Sequence, residues 1–273
     1  MLEALQYEFM RNALLAGLLA SITCGVIGTF VVVNRIVFLS GGIAHAAFGG
    51  IGLAFFLGLP YTLGTLGFAL LTAMVMAVVT LKARHRSDTI IGVLWAVGMA
   101  LGVILLDLTP GYNVDLMSFL FGSILAVPRS DLWIMSVLCG VVLLTVGFSY
   151  HDLLALSYDE EFAQIRGVHV KLLYFLLLAM VAISVVVIIR IVGLILVIAL
   201  LTIAPYIAEN YSRSLFKMMF LSFFLNCLFT TGGLWLSYAF NLTSGATIIM
   251  VAGTCFFIAL LLERLRHKLF ASS

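Results

Sequence analysis

Long apolar runs recur along the 273-residue chain, each parted from the next by a short polar break. They fall near residues 11–33, 42–59, 62–81, 89–108, 131–149, 172–189, 192–208, 215–238 and 245–263. Most approach the ~20 residues that a helix needs to cross a ~30 Å hydrocarbon core, whereas an outer-membrane barrel would show alternating strands of ~10 residues. The pattern predicts an all-α polytopic membrane protein of about nine transmembrane helices. Eight is possible, because two runs nearly touch around Arg190 and Gly193. Composition points the same way: 64% of residues are hydrophobic, 10% are charged, and mean hydropathy is +1.24.

Charge then orients the chain. Loops on the cytoplasmic side are enriched in Lys and Arg. With an outside N-terminus, that side collects Arg35, Lys82, Arg84, Arg86, Arg166, Lys171, Arg213, Lys217, Arg264, Arg266 and Lys268. Arg11, Arg129 and Arg190 remain outside, so eleven basic residues face three. The reading is a cytoplasmic-membrane protein with its C-terminus in the cytoplasm. Glu3 and Glu8 replace the basic start of a cleavable signal, so the first span is expected to be retained. A net charge of +2 gives no reason to expect nucleic acid, and the basic tail at 264–268 suits lipid headgroups. Cys24, Cys139, Cys227 and Cys255 all fall inside predicted spans and read as small core residues. No soluble domain is expected, leaving residues 1–273 as one transmembrane domain.

Two polar breaks carry more structure than the others. Between spans four and five, Pro110-Gly111 signals a turn, and residues 116–126 form an apolar piece too short to cross. An external half-helix is predicted there, with Ser130-Asp131 capping span five and Ser87-Asp88 capping span four. The second break, residues 156–170, holds three consecutive acids, an apolar stripe and a glycine stop. It predicts a short amphipathic cytoplasmic helix over 158–166. Phe162 and Ile165 lie three apart on one face, and Glu160, Glu161 and Arg166 can ring it. That is the layout of a small interface with an apolar anchor and a charged rim; a plain surface helix at the headgroups is the alternative.

Chemistry inside the spans is sparse. There is no Gly-rich Walker A sequence to cradle nucleotide phosphates, and neither His-Glu-x-x-His nor Gly-x-Ser-x-Gly is present. Energy must come from a partner or an ion gradient. His45 lies near the start of span two, with Gly41 and Gly49 at helical spacing on its face. An intramembrane ionisable residue is a functional candidate by default, and neutral imidazole suits zinc well and manganese or iron fairly. The alternative makes Gly41, Gly42, Gly49, Gly50 and Gly52 a close-packed helix seam, with His45 bonded to a backbone carbonyl. Asp107 near the outer end of span four is a second candidate ligand, and Met99, two turns deeper, is a soft one or else gap-filling core. Pro205 and Gly193 suggest either a gating hinge or a static kink in the seventh span. A self-powered secondary transporter should show inverted repeats and more intramembrane charge.

Four segments, in order, resemble the transmembrane permeases of ABC importers for zinc, manganese and iron. They are Leu39-Ser-Gly-Gly-Ile-Ala-His-Ala-Ala-Phe-Gly-Gly-Ile-Gly52, Phe119-Leu-Phe-Gly-Ser-Ile-Leu-Ala-Val127, Tyr158-Asp-Glu-Glu-Phe-Ala-Gln-Ile-Arg-Gly-Val168 and Val192-Gly-Leu-Ile-Leu-Val-Ile-Ala-Leu-Leu-Thr-Ile-Ala-Pro-Tyr-Ile-Ala208. The resemblance implies a non-catalytic permease that pairs with a second copy of itself and with two ABC ATPase subunits, which bind the ATP. An extracytoplasmic binding protein would deliver the divalent metal ion, and no cofactor would be bound permanently. The segment Asp159, Glu160, Glu161, Phe162, Ile165, Arg166 and Gly167 would then be the coupling helix that docks on the ATPase. Zinc and manganese permeases of this kind usually carry an Asp one turn before the path histidine. Here that position is Gly41, so the ligand pair is missing. Permeases for metal chelates or vitamin B12 share the Gly-Ser segment and acidic helix, but they are usually longer.

Overall fold

The computed structural model describes residues 6–82, 87–110, 122 and 124–271. The described residues form helices α1 (Glu8–Val33), α2 (Val37–Leu57), α3 (Tyr61–Lys82), α4 (Ser87–Asp107), α5 (Arg129–Tyr158), α6 (Glu160–Ile165), α7 (Val170–Val192), α8 (Leu194–Tyr211), α9 (Leu215–Phe240) and α10 (Ser244–Ala271), with a single 3₁₀ turn at Ile124–Ala126. Apart from the six-residue α6, all are long and apolar enough to cross a membrane, giving nine candidate spans. Large apolar side chains cover the outside, Phe148 being 90% exposed. Surfaces of this kind are stable against lipid and not against water.

The helix boundaries depart from the apolar runs where packing continues past them. Span five does not stop at residue 149. α5 runs on to Tyr158 because Tyr150-His151-Asp152 contains no helix breaker and Leu153 and Leu156 beyond it are buried. Neither Ser130 nor Asp131 caps α5. Pro128 takes the extended N-cap conformation, with Asp131 in the first turn. The Val127–Arg129 entry is held to α1 by Asn12 Nδ2 donating to the Val127 carbonyl (3.1 Å) and by an Arg129–Glu8 ion pair (2.8 Å). Ser87 opens α4, with Asp88 in its first turn. The predicted half-helix at 116–126 lies outside the described residues except for Gly122 and the 3₁₀ turn.

In lipid, helices gain little from the hydrophobic effect and associate through close packing and interhelical hydrogen bonds. The most enclosed spans are α1 and α2, of which 72% and 78% are buried; α4 and α10 are peripheral at 22% and 17%. α1 packs on α8 and α9, and α2 lies against α3, α4 and α7. Polar contacts bind α1 to α9: Ser21 to Thr230 and Thr29 to Ser222, each 3.4 Å between hydroxyl oxygens.

The α2 interfaces are built from small residues. A Cβ on Gly49 would lie 2.8 Å from the Gly98 carbonyl oxygen of α4, and one on Gly50 2.7 Å from the Gly64 carbonyl oxygen of α3. Gly52 meets the backbone of Gly102, and Gly42 meets Ile91 and Met76. The glycine seam is therefore real for four of the five predicted positions. Gly41 is the exception: a Cβ there would meet nothing within 4 Å.

The two kinds of glycine should respond differently to substitution. Gly98→Val drives a branched side chain into Ala46 of α2 and should destabilise by about 1–3 kcal/mol, lowering the thermal midpoint in detergent. Gly41→Ala adds helix propensity in open space and should leave the midpoint level or slightly raised.

Candidate functional site

One end of the bundle gathers the α1–α2 turn, the end of α3, the end of α5, all of α6 and the start of α7. These border a cavity of about 260 Å³ lined by Asn34, Arg35, Ile36, Thr80, Leu81, Leu156, Glu160, Val170 and Tyr174. The predicted amphipathic helix is shorter than 158–166, because Asp159 breaks the backbone with φ −153° and starts a new helix. Its carboxylate accepts from the Phe162 N–H at 2.9 Å, an N-cap of the usual kind. At the other end Gly167 adopts φ 82°. There the Gly167 N–H reaches the Gln164 carbonyl (2.9 Å) and the Val168 N–H the Ala163 carbonyl (3.0 Å). This bond pair closes a helix with a left-handed glycine.

With both ends fixed, α6 turns Ala163 fully inward and points Phe162 and Ile165 outward, 50% and 84% exposed. Glu161 is exposed on its rim, Glu160 is turned partly toward the cavity, and the Arg166 guanidinium lies 5.8 Å from the Phe162 ring centroid. Asn34 Nδ2, in the α1–α2 turn, donates to Ser157 Oγ in the last turn of α5 at 2.9 Å. The base of α6 is thereby tied to the turn that launches α2.

On α2, His45 sits about 12 Å from the start of the helix at 1.5 Å per residue, deeper than the apolar run suggested because α2 begins at Val37. The side chain is half-buried. Its Nδ1 lies 2.8 Å from the Gly41 carbonyl oxygen. A carbonyl can only accept, so Nδ1 carries the hydrogen and Nε2 keeps a free lone pair. Trp95 of α4 stacks on the imidazole, with centroids 3.8 Å apart and planes at 28°. The indole N–H in turn points at Met99 Sδ, 3.2 Å away.

The remaining candidate ligands do not converge. Met99 Sδ accepts from the Trp95 indole N–H, and the side chain packs onto Phe48, Ile51 and Leu106. Asp107 is exposed at the last residue of α4, twelve residues past Trp95, or about 18 Å along the helix. It stands at the far end of the bundle from α6. Among the described residues, no three His, Cys, Asp or Glu side chains gather to hold a metal. Sequence reading missed Trp95; the signal available was its four-residue spacing from Met99.

Gly193 separates α7 from α8 with φ 82° and ψ 162°, a region open essentially to glycine alone. Gly122 explains the break's surroundings. It comes so close to the Val192–Gly193 peptide that a Cβ there would collide with it, so the second and fourth resemblance segments touch through their glycines. Pro205 lies inside α8, buried, against Gly28 of α1. Five residues earlier in α8, the Leu200 carbonyl accepts from Asn226 Nδ2 of α9 at 3.1 Å.

The same architecture is found in known proteins. Residues 6–263 match the model of the ABC 3 transport family. The chain belongs to the ABC 3 transport family. A membrane protein of Synechocystis sp. is 49% identical over 264 residues, covering 97% of this chain and 94% of that one. The manganese transport system membrane protein MntC of Listeria monocytogenes is 32% identical over 267 residues, covering 98% and 95%. Among solved structures, PsaBC from Streptococcus pneumoniae in complex with Fab superposes with a TM-score of 0.85 at 32% identity, covering 94% of this chain and 93% of that one. This ABC 3 chain is accordingly a multi-pass permease subunit and not an enzyme.

In this ABC 3 permease, Gly193→Ala should cost about 1–3 kcal/mol, because alanine must be held in a glycine-only conformation. The expected result is a lower thermal midpoint with the oligomeric state retained.

Proposed function

We propose that two copies of this chain form the membrane pathway of an ATP-driven importer of a divalent transition-metal ion. Residues 1–273 act as one permease domain. A separate ABC ATPase docks on α6, and an extracytoplasmic binding protein delivers the ion at the opposite end. The α6 end faces the cytoplasm, as does the C-terminus, in keeping with the basic residues gathered on that side.

The observation that carries the reading is α6 itself. Apolar side chains as exposed as Phe162 and Ile165, on a helix fixed by Asp159 and Gly167 and rimmed by Glu160, Glu161 and Arg166, mark a protein contact. The manganese import system permease protein ScaB of Streptococcus parasanguinis, 33% identical over 264 residues, and MntC support a metal cargo. His45 supports it chemically: its free Nε2 is a suitable ligand for a borderline metal ion. A single nitrogen without a carboxylate partner binds weakly, which suits a pathway that must release its ion. Gly193 and Pro205 are the points at which the α7–α8 pair would flex as the pathway changes access.

Phe162→Asp tests the docking role. It should abolish co-purification of the ATPase and reduce uptake at least about tenfold, a loss typical of a central interface anchor, while the permease remains folded. Unchanged co-purification and uptake would remove α6 as the docking element.

A further inference from the structure

The imidazole of His45 is not held by its own helix alone. Position 41, where the family resemblance implies an acidic side chain, holds a glycine whose Cβ direction is empty for 4 Å. An orienting partner on α2 is therefore absent, apart from the Gly41 carbonyl. The second restraint comes from α4, where Trp95 covers one face of the ring.

Trp95 is itself fixed in two ways. Its N–H is engaged by Met99 Sδ, which resists rotation of the indole about its long axis. Phe38 stands on the same surface, 6.0 Å from the Trp95 ring and tilted at 47°. Met99 is anchored in turn in the apolar cluster of Phe48, Ile51 and Leu106. A chain of contacts thus runs from packed core through Met99 and Trp95 to the His45 ring, whose Nδ1 is engaged by the Gly41 carbonyl. Loss of a group that fixes the orientation of a metal-binding imidazole typically costs about 10–100-fold in affinity or activity.

We propose that Trp95 is a positioning residue for transport: it holds His45 against the Gly41 carbonyl with Nε2 presented to the passing ion, supplying from α4 the restraint that position 41 lacks. This rests on the reading of His45 as a pathway residue. It assigns Met99 to supporting the indole, with no direct contact to the ion.

The test uses the full complex of permease, ATPase and binding protein in proteoliposomes, supplied with zinc or manganese, and reads both uptake and ATP hydrolysis. Trp95→Leu should cut uptake about tenfold, the usual scale for removing an orienting partner of a metal ligand. Hydrolysis stimulated by the binding protein should continue, so fewer ions move per ATP. Trp95→Phe keeps a stacking ring and should recover most of the uptake. Met99→Leu keeps the packing but removes the sulfur acceptor, giving a smaller loss in the wild-type background and none added to Trp95→Phe.

In a His45→Ala background Trp95→Leu should cost nothing further, because residues acting through one another are not additive. A Trp95→Leu loss that persists without His45, or that lowers uptake and hydrolysis together with no rescue by phenylalanine, would overturn the positioning role while leaving His45 in place. Normal uptake by His45→Ala would remove the pathway reading and this proposal with it. Should Trp95→Leu fail to assemble, the phenylalanine and Met99 variants decide: no separation of uptake from hydrolysis in either would overturn the proposal.

Discussion

The close approach of α2 to α3 and α4 is the constraint from which the rest of the structure follows. Lipid offers no hydrophobic drive for two apolar helices to meet, so stability there depends on many short van der Waals contacts between backbones. Gly49 against Gly98, Gly50 against Gly64 and Gly52 against Gly102 provide them. The same contacts fix the rotation of α2 about its axis. Once the glycines face α3 and α4, His45 lies on the α4 side of α2, where Trp95 stacks on it.

A second consequence concerns how force could reach that face. Backbone polar groups in a bilayer must be satisfied internally, so movement is easiest where regular helix is already interrupted. Among the described residues, two breaks leave helices in near-direct succession. Asp159 separates α5 from α6, and Gly193 separates α7 from α8. In the turn at Asn34 and Arg35, Asn34 is bonded to Ser157, two residues before the Asp159 break. A displacement of α6, the proposed docking helix, would therefore be felt first at the turn from which α2 rises toward His45.

Much of this was legible in the amino-acid order. Hydropathy alone located nine spans, because crossing a hydrocarbon core demands a fixed length of apolar helix. Three acids followed by Phe162, Ile165 and Gly167 located α6, because capping and dipole preferences act over a few neighbouring residues. Of the span-two glycines, Gly42, Gly49, Gly50 and Gly52 form the expected seam and Gly41 does not, and His45 bonds a backbone carbonyl as the seam reading had it. Less was legible where the decisive neighbour lies on another helix. α5 extends to Tyr158 because Leu153 and Leu156 find a buried surface that local polarity does not reveal. Trp95 was not singled out, since only the register between α2 and α4 brings it onto His45. Asp107 and Met99 share roughly one face of α4 with each other, but length along the helix, which periodicity ignores, keeps Asp107 away from the histidine.

The proposed path of the divalent metal ion runs along the His45 face of α2. The most direct measurement is ATP-dependent uptake of zinc, manganese and iron into proteoliposomes containing the chain, its ATPase and its binding protein, with wild-type permease and with His45→Ala. The expected result is uptake of at least one of these ions that requires all three proteins and falls roughly tenfold or more without the imidazole. No uptake of any free ion by an intact complex with active ATP hydrolysis would contradict the metal cargo, and full uptake by the variant would contradict the path.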